Sequence, residues 1–419
     1  MKKITRVSAH VARASILGGA VLLLASCGDL LDVENPGSLA DDDLNTPAAM
    51  PGLVTGMSFD LSRAVDDVLQ NTNIMADDLY HGGSYGPQGL FNRGIIDKED
   101  VNGMWGSMHR ARWVAEQGVV RMQNVMGTTA FDASPLAARA YLYAGFANRL
   151  LGEHVCDAVI DGGPRENHQV HFERAEQHFT EAIRIAGNIT SASVRDSLRR
   201  AAYGGRASVR AWQGDWAGAA TDAANVPTNF VFVAFFSTNT PAENNDLVFE
   251  TNNRLEYTVY NTQWAQVFRD PRVPWDTVKT TAGAVQVGQD GRTPFFRQRK
   301  YNGLGADVPL TKGTEMLMLR AEEKLRAGDV VAAMALINQQ RAFFSTTANP
   351  LPPLVAATAA EAWPILKKER AAVLWMEGRR FWDLRRWNAE PAPIKDTFLD
   401  SRDKCIPVSE NEEQSNPNV

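Results

Sequence analysis

Apolar residues recur every three or four positions through the second quarter of the chain, with polar residues between them. One such stripe runs from Trp105 to Met126, a second begins after Pro135, and a third runs from Phe172 to Ala186. This spacing places the apolar side chains on one face of an α-helix, and proline is favoured at the first helical position. The pattern therefore predicts a mainly α-helical protein.

Two helix–turn–helix units share an alanine-rich composition and a Gly-Asp turn. The first covers residues 201–225 around Gly214-Asp215, and the second covers residues 315–343 around Gly328-Asp329. Small residues let paired helices approach closely, and neighbouring pairs bury what a single pair cannot. We therefore predict a tetratricopeptide-like scaffold of helical pairs at about 104–225 and 311–390.

Residues 226–310, between the two helical blocks, have a different composition. They are rich in Asn, Thr, Pro, Gly and aromatic residues, with short apolar runs such as residues 230–233. Residues 71–100 have the same character. Such segments are typical of loops and small β-hairpins. We expect both to be mounted on the scaffold, within a single domain that covers residues 46–419.

The N-terminus has the three parts of a bacterial lipoprotein signal. Four basic residues are followed by an uncharged, apolar stretch from Ala14 to Ser26, which ends in the box Leu24-Ala25-Ser26-Cys27. An ordinary secretory signal with an incidental cysteine is the alternative. The complete match favours a signal peptide over residues 1–26, lipidation of Cys27 and a tether over residues 27–45. Several acyl chains on one cysteine suffice for stable anchoring.

Charge and cysteine content follow from that processing. Residues 1–26 hold four of the 43 basic residues and none of the 49 acidic ones, so the mature chain carries a net charge of −10. Nucleic-acid binding needs basic patches, and we expect none. Besides Cys27, the mature chain contains two cysteines, Cys156 and Cys405. In an exported protein they are expected to form a disulfide, and two separate buried thiols are the alternative.

The last hundred residues carry an ordered set of motifs. Together with an Asp-Pro-Arg turn and the lipidated start, these motifs resemble those of the SusD/RagB family. The matching segments are Asp270-Pro271-Arg272, Glu369-Arg370, Glu377-Gly378-Arg379-Arg380, Phe381-Trp382-Asp383-Leu384-Arg385-Arg386-Trp387, Ile406-Pro407 and Asn416-Pro417-Asn418. One departure is Leu151-Gly152-Glu153-His154-Val155-Cys156, where the family commonly shows a Tyr-Gly-Asp-X-Pro turn. The resemblance therefore indicates a divergent, short member.

The resemblance implies a function as well as a fold. Family members have four tetratricopeptide-like pairs with irregular loops and small β-hairpins that form the ligand face. They are lipid-anchored in the outer membrane, face the cell exterior and cover a TonB-dependent SusC-like transporter. They bind an oligomeric nutrient without cofactor or catalysis. Glycans are the expected ligand. Some members of the family bind peptides, so a peptide ligand is the alternative.

The C-terminal arginines allow two interpretations. On one continuous helix, Glu377 could pair with Arg380, and Asp383 with Arg386, because residues three apart are neighbours. Gly378 would then permit close packing within the helix. Alternatively, the side chains form a cationic ligand patch, which would consist of Arg379, Arg380, Arg385 and Arg386. We favour the structural interpretation.

No catalytic or metal-binding constellation stands out. His168, His171 and His178 lack a Cys or carboxylate at a familiar zinc spacing, so exposed surface histidines are expected. Adjacent side chains on a helix do not face one another, so Asp77-Asp78 and Glu322-Glu323 are interpreted as solvated or capping. The sequence therefore predicts a binding protein with no metal and no catalytic residue.

Aromatic residues in turn-rich segments supply the candidate ligand site. Sugar rings present apolar faces that stack on aromatic rings, and polar side chains bond the hydroxyl groups. Many aromatic residues are ordinarily buried, so core packing is the alternative. The candidate ligand-binding residues are Tyr80, His81, Tyr85, Asn92, Arg93, Trp264 and Trp275.

Two rival functions remain open. A lipid-anchored tetratricopeptide-like scaffold would gather other envelope proteins and would bind no nutrient. An envelope hydrolase would need a carboxylate or histidine constellation. The matches at both ends of the chain favour nutrient uptake over either.

Overall fold

The computed structural model describes residues 41–266 and 270–419. The chain divides into two units, Met1–Ala49 and Met50–Val419. The described part of the first unit forms two short 3-10 turns, Asp41–Leu44 and Pro47–Ala49. The predicted signal peptide and lipidation site at Cys27 lie outside the described residues. No helix within the described ranges is long and apolar enough to cross a membrane.

Helices account for most of the second unit. Within the described residues there are fourteen, which are α1 (Met50–Met75), α2 (Gly86–Arg93), α3 (Asn102–Met126), α4 (Thr128–Phe131), α5 (Pro135–His154), α6 (Gln169–Gly187), α7 (Ala192–Trp212), α8 (Trp216–Ala223), α9 (Asp246–Val248), α10 (Gly313–Arg326), α11 (Val330–Phe344), α12 (Ala359–Val373), α13 (Arg380–Asn388) and α14 (Glu410–Ser415).

The longer helices pack against one another in pairs. Helix α1 packs on α3, α5 on α6, α7 on α8 and α10 on α11, and α8 joins the two helical blocks by contacting α10. We call these helices with α12 and α13 the helical scaffold. The predicted fold class, a mainly α-helical body of tetratricopeptide-like pairs with small β-pairs, is confirmed.

Close approach of the paired helices depends on glycine. A Cβ atom on Gly205 of α7 would lie 2.3 Å from Cζ of Phe179, and one on Gly145 of α5 would lie 2.7 Å from Cε1 of the same ring. Phe179 is itself fully buried on α6. Its ring therefore fills the space that two glycines leave, and packing at this density leaves no room for an added methyl group.

The strands are short and pair in twos. They are β1 (Tyr80–His81), β2 (Asp157–Val159), β3 (Arg165–Asn167), β4 (Val231–Ala234), β5 (Tyr257–Thr258), β6 (Trp275–Thr277), β7 (Phe296–Gln298) and β8 (Val308–Lys312). The antiparallel pairs are β1–β5, β2–β3, β4–β8 and β6–β7. We call residues 76–101 and 227–312 the loop layer, because β1–β5 joins these two segments.

The long helix α1 was not foreseen. Its buried apolar side chains follow helical spacing, which the sequence already showed; they include Val54, Met57, Leu61, Ala64, Val65, Val68 and Leu69. The segment 71–100 was expected to be loops and hairpins throughout. Instead α1 extends to Met75, and Gly86–Arg93 forms α2.

The predicted continuous helix through Glu377 and Arg380 is wrong. Helix α12 ends at Val373 and α13 begins at Arg380. Between them Met376 and Gly378 have φ angles of 57° and 68°, in the left-handed region that ends a helix. Glu377 therefore pairs with Lys300, at 2.6 Å, and with Lys312 rather than with Arg380.

Arg379 and Arg386 belong to a buried chain of alternating charges. Five guanidinium and five carboxylate groups follow one another in contact, in the order Arg149, Glu153, Arg379, Glu315, Arg370, Asp383, Arg386, Glu322, Arg326 and Glu390. We call this the charge relay. Equal numbers of the two signs offset the cost of burying each ion. Arg380 pairs separately with Asp77 at 2.6 Å.

Three expectations of solvent exposure are wrong for the same reason, which is that the polar group has a buried partner. Glu322 is fully buried in the charge relay. Asp78 is fully buried and accepts hydrogen bonds from Trp264 Nε1 and the Met376 amide. His171 is also fully buried, with Nδ1 at 3.1 Å from Asn148 Oδ1. Among the described residues, no group of three His, Cys, Asp or Glu side chains could hold a metal ion.

The C-terminal tail is fastened to the end of α5. Cys156 and Cys405 form a disulfide, with their Cα atoms 5.0 Å apart. On either side of it, the Ile406 amide donates to His154 O and the Cys156 amide donates to Ile406 O, each at 2.8 Å. Covalent and backbone contacts thus join the tail to the centre of the chain.

Candidate functional site

A cavity of about 750 Å³ opens in the loop layer. We call it the loop cavity. It is lined by both segments of the layer, and its polar and aromatic side chains include Tyr80, His81, Tyr85, Arg93, Asp290, Arg292 and Thr293. Ligand pockets commonly have volumes of about 300–1,000 Å³, so this cavity has room for more than one sugar ring.

Strand β1 brings the two lining segments together. Tyr80 pairs with Thr258 and His81 with Tyr257 in the antiparallel register of β1 and β5. The His81 amide also donates to Asn92 Oδ1 at 3.1 Å, which fixes β1 against the end of α2. The backbone of β1 is therefore held from two sides, and Tyr80 and His81 are placed at the cavity wall.

Glu256 anchors the glycine-rich turn after β1. Its carboxylate accepts from the Ser84 amide at 2.7 Å and from the Ser84 hydroxyl at 2.9 Å. Its main-chain oxygen accepts from the Gly82 amide. A Cβ atom on Gly83 would lie 1.6 Å from Glu256 Oε2 and 2.9 Å from its Cα atom. Only glycine lets the turn come this close to a buried carboxylate.

A second turn closes the opposite wall. Asp290 Oδ1 accepts from the Arg292 and Thr293 amides at 2.9 Å, and Oδ2 accepts from the Thr293 hydroxyl at 2.6 Å. Burial raises the pKa of Asp290, but these hydrogen bonds outweigh it and lower the pKa. The Asp290 amide donates to Gly82 O, so the two turns support each other.

Tyr85 is held at the cavity by charged neighbours. The Arg254 guanidinium lies 4.5 Å from the centroid of the Tyr85 ring. The Tyr85 hydroxyl lies 3.5 Å from Glu250 Oε1. Burial raises the pKa of Glu250 to about 7, although Arg254 acts in the opposite direction. One face of the tyrosine ring is thus covered by a cation.

The surroundings of His81 favour its neutral form. Burial lowers its pKa, although Glu256 and Asp290 favour the charged form. Its Nε2 atom lies 3.7 Å from Glu256 Oε2. A neutral imidazole can both donate and accept hydrogen bonds, which suits the recognition of hydroxyl groups.

Two arginines stand at the rim of the loop cavity. The Arg292 side chain is 87% exposed and lies 3.9 Å from Asp290. Arg93 is exposed at the end of α2. Because the Asp290 carboxylate is occupied by its own turn, both guanidinium groups can donate to a ligand. The cavity therefore combines tyrosine rings, an imidazole and exposed cationic donors.

Residues 256–418 match the model of the SusD family. The C-terminal part of the chain is thus similar to the SusD family. The matched part includes the second wall of the loop cavity and the whole C-terminal signature. No curated protein matches the sequence closely.

Solved structures of the SusD type share the fold of the whole second unit. A SusD-like carbohydrate binding protein from Bacteroides vulgatus is 15% identical, with a TM-score of 0.65, and the match covers 89% of this chain and 97% of that one. A SusD superfamily protein from Bacteroides thetaiotaomicron is 15% identical, with a TM-score of 0.62 and coverages of 90% and 98%. At this identity the likeness concerns the fold.

The structure brings together only part of the ligand set predicted from the sequence. Tyr80, His81, Tyr85 and Arg93 line the loop cavity. Asn92 does not line it and instead holds β1 through its side chain. These five residues come from one continuous segment, 80–93.

The two tryptophans of that set lie elsewhere. Trp264 is 1% exposed, and its Nε1 atom donates to Asp78 Oδ1 at 3.1 Å. Trp275 is half-buried and stacks on Phe296, with ring centroids 5.0 Å apart. Neither lines the loop cavity. Core packing, the alternative interpretation, describes Trp264 best.

The second wall was missed by sequence reasoning. Asp290-Gly291 is a common turn signal, and Gly291 has the positive φ angle that such a turn needs. The sequence could thus have indicated a tight turn at this point. It could not have indicated that the turn faces residues 80–85, about two hundred positions earlier.

Proposed function

We propose that this protein is a nutrient-binding lipoprotein that captures an oligomeric glycan in the loop cavity. The observation that carries the proposal is the loop cavity itself, where Tyr80 and Tyr85 lie beside hydrogen-bonding groups that two hydrogen-bonded turns hold in place. Aromatic faces take the apolar side of a sugar, and the polar groups take its hydroxyls. The match of residues 256–418 to the SusD family and the carbohydrate-binding structural neighbour support the same ligand class.

The protein would bind its ligand without cleaving it. A glycosidase needs two carboxyl groups that flank one bond, about 5–10 Å apart. In the loop cavity Asp290 is occupied by its own turn, and Asp100 is the other lining carboxylate. The arrangement favours recognition, and bond cleavage would fall to separate enzymes.

The cellular setting follows from the resemblance and the N-terminal signal. Lipidation at Cys27 would anchor the mature chain in the outer membrane, facing the cell exterior. The bound glycan would then pass to a TonB-dependent SusC-like transporter. A tetratricopeptide-like protein-interaction scaffold is the second candidate, because the helical scaffold has the architecture that such proteins use.

Glycan binding is tested by calorimetric titration of the mature chain with oligosaccharide pools. Replacing Tyr80 and Tyr85 with alanine should weaken binding at least about tenfold, since each aromatic contact contributes about 1 kcal/mol or more. Phe343→Ala removes an aromatic ring that is 48% exposed outside the cavity and should leave the affinity unchanged. Equal affinities of the double variant and the native chain would contradict the proposal.

The transport role is tested by purification from native outer membranes through a C-terminal tag. Co-purification of a TonB-dependent barrel supports delivery to a transporter. Other envelope proteins without a barrel would favour the scaffold function. A Cys27→Ala chain should appear in the soluble fraction, and continued membrane attachment of this variant would contradict lipid anchoring.

A further inference from the structure

A second cavity, of about 430 Å³, lies between the first half of α1 and residues 235–243 of the loop layer. We call it the α1 cavity. It shares no lining residue with the loop cavity, so it is a separate place on the molecule. Its lining includes the rings of Phe59, Phe235 and Phe236 together with hydroxyl, amide and charged side chains. The α1 cavity therefore combines aromatic and polar groups.

Two of the phenylalanine rings are open to solvent. Phe59 on α1 is 38% exposed and Phe235 is 63% exposed, whereas Phe236 is buried. Gly56 also lines the cavity, and nothing lies within 4 Å of the position that a Cβ atom would take there. Exposed apolar surface with a polar rim marks places where proteins bind ligands or partners. The two exposed rings are thus available to a ligand.

Glu243 supplies a carboxylate that the protein holds in place without a cation. Its oxygens accept from the Thr240 hydroxyl at 3.0 Å, from Asn239 Nδ2 at 3.4 Å and from the Ser237 hydroxyl. Hydrogen bonds from Ser237 and Thr240 lower the pKa of Glu243, which keeps the group charged. Within the described ranges no Lys, Arg or His nitrogen lies within 4.0 Å of it. A carboxylate has about four acceptor positions, so this one can also accept from a ligand.

The charge around the α1 cavity is negative. Among the described lining residues Arg63 is the one cation, and its Nη1 atom donates to Asp246 at 2.9 Å. Asp66 and Asp67 lie within 4.0 Å of the same guanidinium group. Burial raises the pKa of Asp66 to about 7, but even without Asp66 the carboxylates, including Glu243, outnumber the one guanidinium. The surroundings therefore favour a cationic ligand over an anionic one.

These groups match a sugar ring that carries an ammonium group. The apolar face of the ring can pack on the phenylalanine rings, which also attract a cation. An ammonium group donates a charge-assisted hydrogen bond to a carboxylate. Ser58 and Asn239 in the lining offer partners for the ring hydroxyls, and the volume lies in the range of ligand pockets, about 300–1,000 Å³. We propose that the α1 cavity binds an amino sugar, with its ammonium group at Glu243 and its ring against Phe59 and Phe235.

The proposal is tested by calorimetric titration of the mature chain at pH 6 with D-glucosamine. D-glucose and N-acetyl-D-glucosamine are the uncharged counterparts. Glucosamine should bind at least about tenfold more tightly than either, the usual effect of a hydrogen bond to a charged group. Added sodium chloride should weaken glucosamine binding, because salt screens contacts between partly exposed charges.

Two variants separate the roles of charge and ring. Glu243→Gln removes the charge and keeps the shape, so glucosamine affinity should fall about tenfold and approach that of glucose. Phe235→Ala removes an exposed ring without leaving a buried void and should weaken glucosamine binding about fivefold. The controls Glu166→Gln, on exposed strand β3, and Phe343→Ala, on α11, should leave the affinity unchanged. The thermal midpoint of each variant identifies any loss through unfolding.

Two outcomes would overturn the assignment. One is a glucosamine affinity no higher than that of glucose. The other is unchanged glucosamine affinity in folded Glu243→Gln and Phe235→Ala chains. The α1 cavity does not depend on the function proposed for the loop cavity, and loss of oligosaccharide binding in the Tyr80 and Tyr85 variants concerns the loop cavity alone. Failure of one site is therefore distinguishable from failure of the other.

Discussion

Buried carboxylates occur both in the helical scaffold and beneath the loop layer, and their surroundings differ. In the scaffold, Glu322 lies between Arg326 and Arg386, and despite its burial these arginines lower its pKa to about 2. Beneath the loop layer, Asp66 and Asp78 are equally buried, and burial raises the pKa of each to about 7. Arg326 and Arg386 donate hydrogen bonds directly to Glu322, whereas the guanidinium groups nearest to Asp66 and Asp78 lie 3.6 and 3.9 Å away.

Buried carboxylates thus join parts of this domain in two ways, through guanidinium groups within the scaffold and through backbone amides between α1 and the loop layer. In the charge relay each carboxylate contacts at least one guanidinium group. Asp66 instead accepts from the Asp246 and Leu247 amides at 3.0 and 3.1 Å, and so connects α1 to the loop layer. Such dipolar partners compensate a charge less completely. The attachment of the loop layer therefore responds to pH near neutrality.

The largest expected effect comes from neutralising the scaffold carboxylate. Glu322→Gln keeps the shape of the side chain but leaves Arg326 and Arg386 without their shared counter-ion. Breaking a buried ion pair costs about 3–5 kcal/mol, which urea denaturation can measure as a lower free energy of unfolding. Arg184→Gln breaks an exposed pair and should cost less than about 1 kcal/mol. Similar losses in both variants would remove the distinction between buried and exposed pairs.

The next effect concerns pH and the loop layer. The folded-state pKa of Asp66, about 7, exceeds the unfolded value near 3.8, so the folded chain binds more protons between these values. The free energy of unfolding should therefore fall as pH rises through this window, by up to about 1.4 kcal/mol per pH unit for the group.

An Asp66→Asn variant isolates that contribution. Other titrating groups are common to both chains, so the difference between native and variant unfolding free energies at pH 5, 6, 7 and 8 reports Asp66 alone. The native chain should lose stability relative to the variant as pH rises. A difference that is independent of pH would show that Asp66 ionises normally.

A smaller effect is expected from packing in the scaffold. Gly205→Ala places a methyl group against the buried Phe179 ring and should cost about 1–3 kcal/mol by overpacking. Gly106→Ala is the matched control, because nothing lies within 4 Å of a Cβ atom at that helical position. It should stabilise the chain by about 0.5–1 kcal/mol. Thermal denaturation of both variants gives the sign of each change in stability. Changes of the same sign would contradict overpacking at Gly205.

The last effect concerns the loop cavity, where affinity changes together with stability. Gly83→Ala forces the turn away from Glu256, so oligosaccharide affinity should fall about tenfold, and the loss of hydrogen bonds to this buried carboxylate should lower the free energy of unfolding by about 1–3 kcal/mol. Gly303→Ala, with no neighbour within 4 Å of the added methyl group, should change neither. Unchanged oligosaccharide affinity in a folded Gly83→Ala chain would show that this turn does not shape the ligand site.

The sequence predicts the scaffold better than the loop layer for a physical reason. In a helix the same contacts recur between residues three and four positions apart. The stripe from Trp105 to Met126 and the Gly-Asp turns therefore suffice to place α3, α8 and α11. The same pattern wrongly placed Gly378 inside a helix, because helical spacing on both sides of a left-handed turn looks like one continuous helix. The turn is fixed by Glu377 contacts with Lys300 and Lys312, which are far away in sequence.

The candidate site could be predicted only where its residues are contiguous. Tyr80, His81, Tyr85 and Arg93 come from one segment and were found through composition. Arg292 and Thr293 enter through the pairing of β1 with β5, which no local pattern encodes. Trp264 was misjudged because its loop context hides a buried acceptor, Asp78. Whether an aromatic residue in a loop is buried depends on such partners, which are distant in sequence.

The link between Cys156 and Cys405 gives the protein a property that concerns proteolysis. It closes a ring of chain with a sequence separation of 249 residues, and this ring contains the larger part of the loop layer. A protease in the surroundings of the cell that cuts once within the ring would release no fragment. The two pieces would stay covalently joined, and each would remain packed against the other. Damage to an exposed loop would thus nick the protein without dismantling it.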